Sequence, residues 1–74
     1  MQMRIELDDP NAKKFYEALT PEIESVPYKK TRSSISLEGD RLYITIEGED
    51  INAIRGTFNS YLNWIKIIDE NLRI

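Results

Sequence analysis

The side chains that most often carry out catalysis are absent from this sequence. It contains no histidine and no cysteine, so it offers neither an imidazole base nor a thiolate, and its serines have no histidine to activate them. A zinc site built from His and Cys is excluded for the same reason. Two carboxylate pairs remain, Asp8/Asp9 and Glu49/Asp50, but each stands where a helix is predicted to begin, and helix capping accounts for them. We therefore expect a protein that is not an enzyme and that uses no cofactor or metal.

The basic residues are the next candidates for binding chemistry. The net charge of −3 and the pI of 4.9 argue against a general nucleic-acid binder, which is normally basic. Lys29, Lys30 and Arg32 nevertheless lie close together, and Arg41 follows across a predicted turn. A local basic strip of this kind can contact phosphate, and it is equally typical of a solvated strand face. Both interpretations stay open at this point.

The N-terminal part of the sequence predicts a strand followed by a short helix. Apolar residues alternate with polar ones over residues 1–7, which is the pattern of a half-buried strand. Asp9-Pro10 is typical of a helix start, and the apolar spacing over residues 12–19 is that of an amphipathic helix. We expect Thr20-Pro21 to end this helix, because the residue before a proline is disfavoured in the helical region.

Two strands joined by a tight turn are predicted next. Residues 29–38 alternate weakly, with Ser33, Ile35 and Leu37 on one side, and residues 41–47 alternate clearly. Gly39-Asp40 between them suits a two-residue type II′ turn, which has glycine in its first central position. The two strands are therefore expected to form an antiparallel hairpin.

The predicted element order is β-α-β-β-α, which is typical of a two-layer α+β domain. We expect a single domain over residues 1–74, with a three-stranded antiparallel sheet and both helices on its apolar face. The edges of such a sheet are open, and open edges can pair with another chain. Pairing across a two-fold axis would give a dimer with a continuous six-stranded sheet. Because disulfides are excluded, oligomerisation is a common remaining way to stabilise so small a domain.

A long helix predicted within residues 50–74 has a wider apolar surface than one contact with a sheet requires. Thr57, Trp64 and Ile68 lie on one flank of its main apolar sector. Trp often anchors protein interfaces, so this flank is predicted to contact a partner. The residues of the main sector are Ile51, Ile54, Phe58, Tyr61, Leu62, Ile65 and Leu72.

Three polar or small residues of this helix are unusual for their positions. Arg55 lies near the helix N-terminus, where the dipole disfavours a cation, so we expect a phosphate-like partner or a polar neighbour within residues 49–52. A glycine inside a helix is about 1 kcal/mol less favourable for helix stability than an alanine. The presence of Gly56 therefore indicates that another backbone approaches the helix closely at this position. Asn59 is a poor helix former that either bonds a partner or faces water.

Three stretches of the sequence resemble the small dimerising subunit of the KEOPS complex. Residues 53–65 read AIRGTFNSYLNWI and resemble the final helix of that family, roughly L-R-A-x-x-N-S-x-L-R-W-I. Residues 16–22, YEALTPE, resemble its A-L-x-P-E, and residues 42–50, LYITIEGED, resemble its L-x-I-x-I-x-(A/G)-E-D. With the element order and the length, the resemblance covers nearly the whole chain. Gly56 stands where alanine is usual, and Asn63 stands where an arginine is common.

The resemblance implies a non-catalytic scaffold subunit of the complex that forms N6-threonylcarbamoyladenosine at position 37 of tRNA. In that family the subunit dimerises through its sheet, packs its helices on the catalytic subunit, bridges two catalytic subunits as a dimer and helps to hold the tRNA. The residues then expected to hold the fold are Ile54, Phe58, Leu62 and Ile65. The expected contacts with the catalytic subunit are Phe15, Tyr16, Thr57, Tyr61, Trp64 and Ile68. The expected tRNA contacts are Lys29, Lys30, Arg32, Arg55 and Asn59.

Other interpretations stay open beside this one. The chain could be a stand-alone RNA-binding α+β module, although such modules use stacking aromatics and Tyr43 is the only aromatic residue on the open strand face. It could also be a divergent paralogue of the KEOPS subunit that forms a heterodimer, or a small acid/base enzyme. No long apolar run is present, so no membrane contact is expected. The first residues lack the apolar segment of a signal peptide, which favours a cytoplasmic location.

Overall fold

The computed structural model describes residues 1–25 and 30–72 and has the predicted element order β-α-β-β-α. The strands form one three-stranded antiparallel sheet in the order β1-β3-β2, so β3 is central and the other two strands are its edges. This confirms the predicted α+β class. The elements are β1 (Gln2–Asp8), α1 (Ala12–Ser25), β2 (Thr31–Glu38), β3 (Arg41–Gly48) and α2 (Ile51–Leu72).

The alternation predicted for the strands is confirmed in all three. Leu42, Ile44 and Ile46 of β3 are fully buried, and the outward residues between them are more accessible. In the strand register, Ile5 of β1 and Ile35 of β2 lie on either side of Ile44. Apolar rows of this kind cross the sheet and form the floor of the core.

The hairpin between β2 and β3 has the predicted two-residue turn. Glu38 pairs with Arg41, which leaves Gly39 and Asp40 as the two central residues. Gly39 has a φ of +60°, whereas no described non-glycine residue has a positive φ. A positive φ at the first central position alone is the requirement of a type II′ turn.

Both helices begin next to the aspartates that were predicted to cap them. The backbone N–H of Ala53 donates to Asp50 Oδ1 at 2.8 Å, as expected for an N-cap. Before α1, the backbone N–H of Asn11 donates to Asp9 Oδ1 at 2.8 Å. The helix itself begins at Ala12, two residues later than the predicted start at Pro10.

The predicted end of α1 at Thr20-Pro21 is wrong, because the helix continues through Pro21 to Ser25. A proline inside a helix costs about 3 kcal/mol. Ile23 lies one turn beyond Leu19 on the apolar stripe and is buried in the core. Burying one large aliphatic side chain contributes roughly 1.5–3 kcal/mol, which offsets much of that cost. Pro21 itself is exposed, so its ring faces solvent and displaces no core residue.

The two helices cover the sheet unevenly. α1 packs on β2 and β3, α2 packs mainly on β3, and the helices also contact each other. Within the described chain, β1 makes few contacts with either helix. The inner residues of both edge strands are half-buried, whereas those of the central strand β3 are fully buried.

Candidate interaction surfaces

The buried stripe of α2 is rotated from the predicted one, toward the flank that carries Thr57. Ile54, Thr57 and Tyr61 are the buried residues of this helix. Phe58 and Ile65 are half-buried at the edge of the core, as residues that hold the fold. Leu62 was expected to hold the fold with them, but its side chain is 42% exposed. That expectation is therefore wrong for Leu62.

Two hydroxyl pairs explain why Thr57 and Tyr61 can be buried. The Oγ1 atoms of Thr57 and Thr31 lie 2.8 Å apart and share a hydrogen bond. The Tyr61 hydroxyl donates to Ser33 Oγ at 2.7 Å. A buried hydroxyl is tolerated when it is hydrogen-bonded, so these pairs attach α2 to the inner face of β2. A prediction from hydrophobic spacing does not count threonine as a core residue. The predicted buried stripe was therefore centred too far from Thr57.

Three of the residues expected to contact a partner are part of the core. Phe15 is 2% exposed, and Thr57 and Tyr61 are each 3% exposed. Their side chains offer almost no surface in the isolated chain, where they belong to the core, and their contact with a partner stays a prediction. Tyr16 and Ile68 are half-buried and remain partly accessible.

Four large apolar side chains of the long helix are exposed, and three of them lie in its second half. The fourth is Ile51 in the first turn, which is 52% exposed although it was expected in the main apolar sector. Leu62 is 42%, Trp64 38% and Ile67 49% exposed. Trp64 and Ile67 are one helical turn apart and share a face, whereas Leu62 lies on the other side of the buried stripe. We call Trp64 and Ile67 the α2 apolar surface. Trp64 was predicted from the sequence to be an exposed contact residue, whereas Leu62 and Ile67 were not.

The basic residues expected to contact tRNA lie on two different surfaces. Lys30 and Arg32 are exposed at the start of β2, and Arg32 points away from the helices. Arg55 and Asn59 are exposed on α2, in the other layer of the fold. Lys29 lies outside the described residues. The structure therefore places the four described residues of this set, Lys30, Arg32, Arg55 and Asn59, on two separate surfaces.

Arg55 and Gly56 each have free space around them in the described part of the chain. None of the ion pairs found among the described residues includes Arg55, so the expected local pairing with residues 49–52 does not form. A Cβ atom added at Gly56 would meet no atom within 4 Å. The close backbone approach expected at Gly56 is thus not found among residues 1–25 and 30–72. Gly48 is the glycine that is closely packed, since a Cβ there would lie 2.9 Å from the side-chain atom Ile54 Cγ1 and 3.3 Å from the backbone carbonyl oxygen of Lys30.

An open groove lies where the start of β2 meets the end of β3, and it has a volume of about 710 Å³. Its lining includes two cations, Lys30 and Arg32, and two carboxylates, Glu47 and Glu49. In the register, Arg32 lies directly opposite Glu47. The carboxylates reduce the attraction of this groove for a phosphate.

The outer face of the sheet carries charges of both signs. Arg4 Nε lies 3.6 Å from Glu6 Oε1, and Arg41 Nε lies 3.7 Å from Asp8 Oδ2. The guanidinium of Arg4 also covers the ring of Tyr43, at 4.4 Å from the ring centroid. The pKa of Arg41 is raised, because a hydrogen bond to Tyr43 and the charges around it favour the guanidinium. Arg4 thus covers part of the Tyr43 ring, which reduces the ring area on which a base could stack.

Among the described residues, no cluster of three or more His, Cys, Asp or Glu side chains could hold a metal ion. Within the same ranges, neither helix has the length and apolar character needed to cross a membrane.

Comparison with known proteins agrees with the resemblance found in the sequence. The family described as "Transcription factor Pcc1" matches residues 1–73. The protein named "KEOPS complex subunit Pcc1" from Pyrococcus abyssi (strain GE5 / Orsay) is 39% identical over 77 aligned positions. The alignment covers 100% of this chain and 94% of that protein. The chain therefore belongs to the Pcc1 family.

Proposed function

We propose that this chain is a non-catalytic scaffold subunit of a KEOPS complex, in which it forms a homodimer and holds catalytic subunits through its helices. The relationship to the Pyrococcus abyssi subunit, along the full length of the chain, supports membership in such a complex. The observation that carries the scaffold role is the α2 apolar surface. Trp64 is 38% exposed on this surface, and exposed aromatic side chains often anchor interfaces, which supports contact with a partner here.

The dimensions of α2 support a docking role. Its 22 residues span about 33 Å at roughly 1.5 Å per residue. A strand of 8 residues spans only about 26 Å. The helix is thus longer than the sheet beneath it, and the α2 apolar surface lies in its second half. A partner that packs its own helices on α1 and α2 would cover Trp64 and Ile67 and form a helical bundle with them.

A dimer would turn one docking surface into two. A two-fold axis repeats every surface, so a homodimer presents two copies of the helical layer and can bridge two catalytic subunits. The open sheet edges of β1 and β2 provide the backbone groups that strand pairing needs.

The role toward tRNA is proposed as a supporting one, in the cytoplasm. The catalytic subunit would form N6-threonylcarbamoyladenosine at position 37, since this chain offers no histidine or cysteine for the chemistry. Lys30 and Arg32 on one surface and Arg55 with Asn59 on another would contact the phosphate backbone, with Lys29 as a further cation. Asn63 stands in place of the arginine common in the family, so α2 contributes one cation fewer to this contact.

The experiment that tests this proposal is co-elution of the chain with a catalytic KEOPS subunit. We expect Trp64→Ala to weaken the complex by about 2 kcal/mol, or roughly 30-fold, as is typical of an aromatic anchor. Tyr43→Ala is the matched control, because it removes an aromatic ring from the face opposite the helices. Equal affinity of wild type and a folded Trp64→Ala variant would contradict docking through this surface.

A second measurement separates the scaffold role from a stand-alone RNA-binding role. We expect the isolated chain to bind RNA only weakly, because its net charge is −3 and its outer sheet face is mixed in charge. Tight binding of RNA or duplex DNA by the isolated chain, falling steeply with salt, would contradict the proposal.

A further inference from the structure

The rotation of α2 about its own axis sets the direction in which each of its flanks points. At about 100° per residue, the buried residues Ile54, Thr57 and Tyr61 define the centre of the buried stripe. The apolar sector predicted from the sequence is centred near Phe58, about 50° away from that centre. We call the first arrangement the observed rotation and the second the alternative rotation.

Two large side chains of α2 exchange places between these rotations. Trp64 lies about 50° from the centre of the observed stripe and Leu62 about 105° from it, and in the alternative rotation the two values are reversed. Ile54 and Tyr61 lie between the two centres, so they fit either rotation. The alternative rotation turns Ile67 directly away from the sheet, so it points the α2 apolar surface about 50° farther from the core.

The apolar residues of α2 favour the alternative rotation. In the observed rotation Leu62 is 42% exposed and Phe58 is half-buried, whereas the polar Thr57 is only 3% exposed. Turning the helix by about 50° would bring Leu62 and Phe58 inward and Thr57 outward. Because burial of apolar area is the main favourable term in folding, the observed rotation needs an interaction that the apolar area of α2 does not supply.

The two hydroxyl pairs between α2 and β2 supply such an interaction. Thr57 Oγ1 lies 2.8 Å from Thr31 Oγ1, and the Tyr61 hydroxyl donates to Ser33 Oγ at 2.7 Å. The two α2 residues are one helical turn apart, and the two β2 residues both point inward from the same strand. Hydrogen bonds are directional, so two of them along one line resist rotation of the helix more than apolar contact does.

The side chain of Thr31 is itself held in place by close packing. A Cβ atom added at Gly48 would lie 3.2 Å from Thr31 Cγ2 and 2.9 Å from Ile54 Cγ1. The methyl group of Thr31 therefore packs against the space that Gly48 leaves open, while its hydroxyl meets Thr57. Glycine at this position lets both α2 and the Thr31 side chain come close to β3.

We propose that Thr31 and Thr57, supported by Ser33 and Tyr61, are positioning residues that select the observed rotation of α2 and so set the direction of the α2 apolar surface. This rests on the docking role of that surface in the proposed function and adds what fixes its geometry. The hydroxyl pairs thus act on partner binding without contacting the partner.

A single substitution on β2 tests this assignment in the isolated chain. Thr31→Val keeps the shape of the side chain and suits a strand, so the variant is expected to fold, but it removes the partner of the buried Thr57 hydroxyl. The alternative rotation takes that hydroxyl out of the core. Trp64 is the only tryptophan of the chain, so its fluorescence reports the rotation. We expect its emission maximum to shift to longer wavelength and its quenching by acrylamide to increase.

The matched control is the double variant Thr31→Val/Thr57→Val. It replaces both hydroxyls by apolar groups of the same shape, which is close to neutral for stability, and it leaves no polar group to be released from the core. We expect its emission maximum and quenching to match those of the wild type. The same shift in the single and the double variant would overturn the role of the Thr57 hydroxyl.

Titration with a catalytic KEOPS subunit measures the consequence for docking. We expect Thr31→Val to raise the dissociation constant by about tenfold and the double variant to restore it. A folded Thr31→Val variant with unchanged emission and unchanged affinity would overturn the proposal, even if its stability is lowered. A shift in emission with unchanged affinity would overturn the link between rotation and docking. A wild-type chain that does not bind the catalytic subunit would overturn the proposed function, while the emission measurement still decides what sets the rotation.

Discussion

The two helices of this domain use their apolar residues differently. α1 buries the residues of its stripe, Ala12, Phe15, Leu19 and Ile23, in the core. α2 is longer, yet it buries only Ile54, Thr57 and Tyr61 and exposes large apolar side chains in its second half. We infer that α1 serves mainly the fold, whereas α2 serves the fold with one stripe and a partner with the rest of its surface.

The largest expected effect is on stability, at the centre of α1. Leu19 is fully buried, so Leu19→Ala should lower the free energy of unfolding by about 3 kcal/mol. Leu62→Ala is the matched control on α2, where the side chain is exposed, and should cost less than about 1 kcal/mol. Urea unfolding followed by circular dichroism measures both values. Similar costs for the two variants would remove the distinction between the helices.

The next effect concerns binding rather than stability. Ile67→Ala on α2 should weaken the complex with a catalytic KEOPS subunit by about 1 to 2 kcal/mol, since it removes exposed apolar contact area beside Trp64. Its free energy of unfolding should remain close to that of the wild type. Calorimetric titration of the two subunits measures the affinity. A variant that loses stability but keeps its affinity would place Ile67 in the fold instead of the interface.

A smaller effect concerns the stability that the buried Tyr61 hydroxyl contributes to the fold. Tyr61→Phe removes the hydroxyl that donates to Ser33 and keeps the ring, so it should cost about 1 to 1.5 kcal/mol of stability. Ser33→Ala and the double variant complete a cycle that isolates the coupling between the two side chains. No coupling in that cycle would contradict the role of this hydrogen bond in attaching α2 to β2.

The smallest effect is a gain in stability at Gly56. Alanine there meets no atom within 4 Å, so Gly56→Ala should stabilise the isolated chain by about 0.5 to 1 kcal/mol. Gly48→Ala is the contrasting variant, because its Cβ would lie 2.9 Å from Ile54 Cγ1, and it should destabilise. Thermal unfolding measures both changes. If Gly56→Ala also weakens the complex with the catalytic subunit, the partner backbone approaches α2 at this residue.

The strands were predictable from the sequence because their period of two is simple and one face is buried. Ile5, Ile35 and Ile44 show this, since each was assigned correctly to the inner face. The end of α1 was not predictable from Pro21 alone, because the burial of Ile23 outweighs a local preference. Local rules describe a residue and its neighbours along the chain, whereas this burial depends on the sheet.

The exposed surface of α2 was only partly predictable from the sequence, because the buried stripe of this helix is rotated relative to the predicted one. Hydrophobic spacing centred the stripe on Phe58, whereas the structure centres it nearer Thr57, whose hydroxyl has a partner on β2. That rotation moves Thr57 into the core and Leu62 out of it. A hydroxyl pair between distant parts of the chain leaves no periodic signal, so sequence alone could not place these residues.

The most direct test of the account is light scattering behind a sizing column, first on the chain alone and then on its mixture with a catalytic KEOPS subunit. We expect a dimer of about twice the 8.7 kDa chain mass, which shifts to a larger complex when the catalytic subunit is added. A chain that stays monomeric, and that elutes unchanged in the mixture, would contradict both the dimer and the docking role of α2.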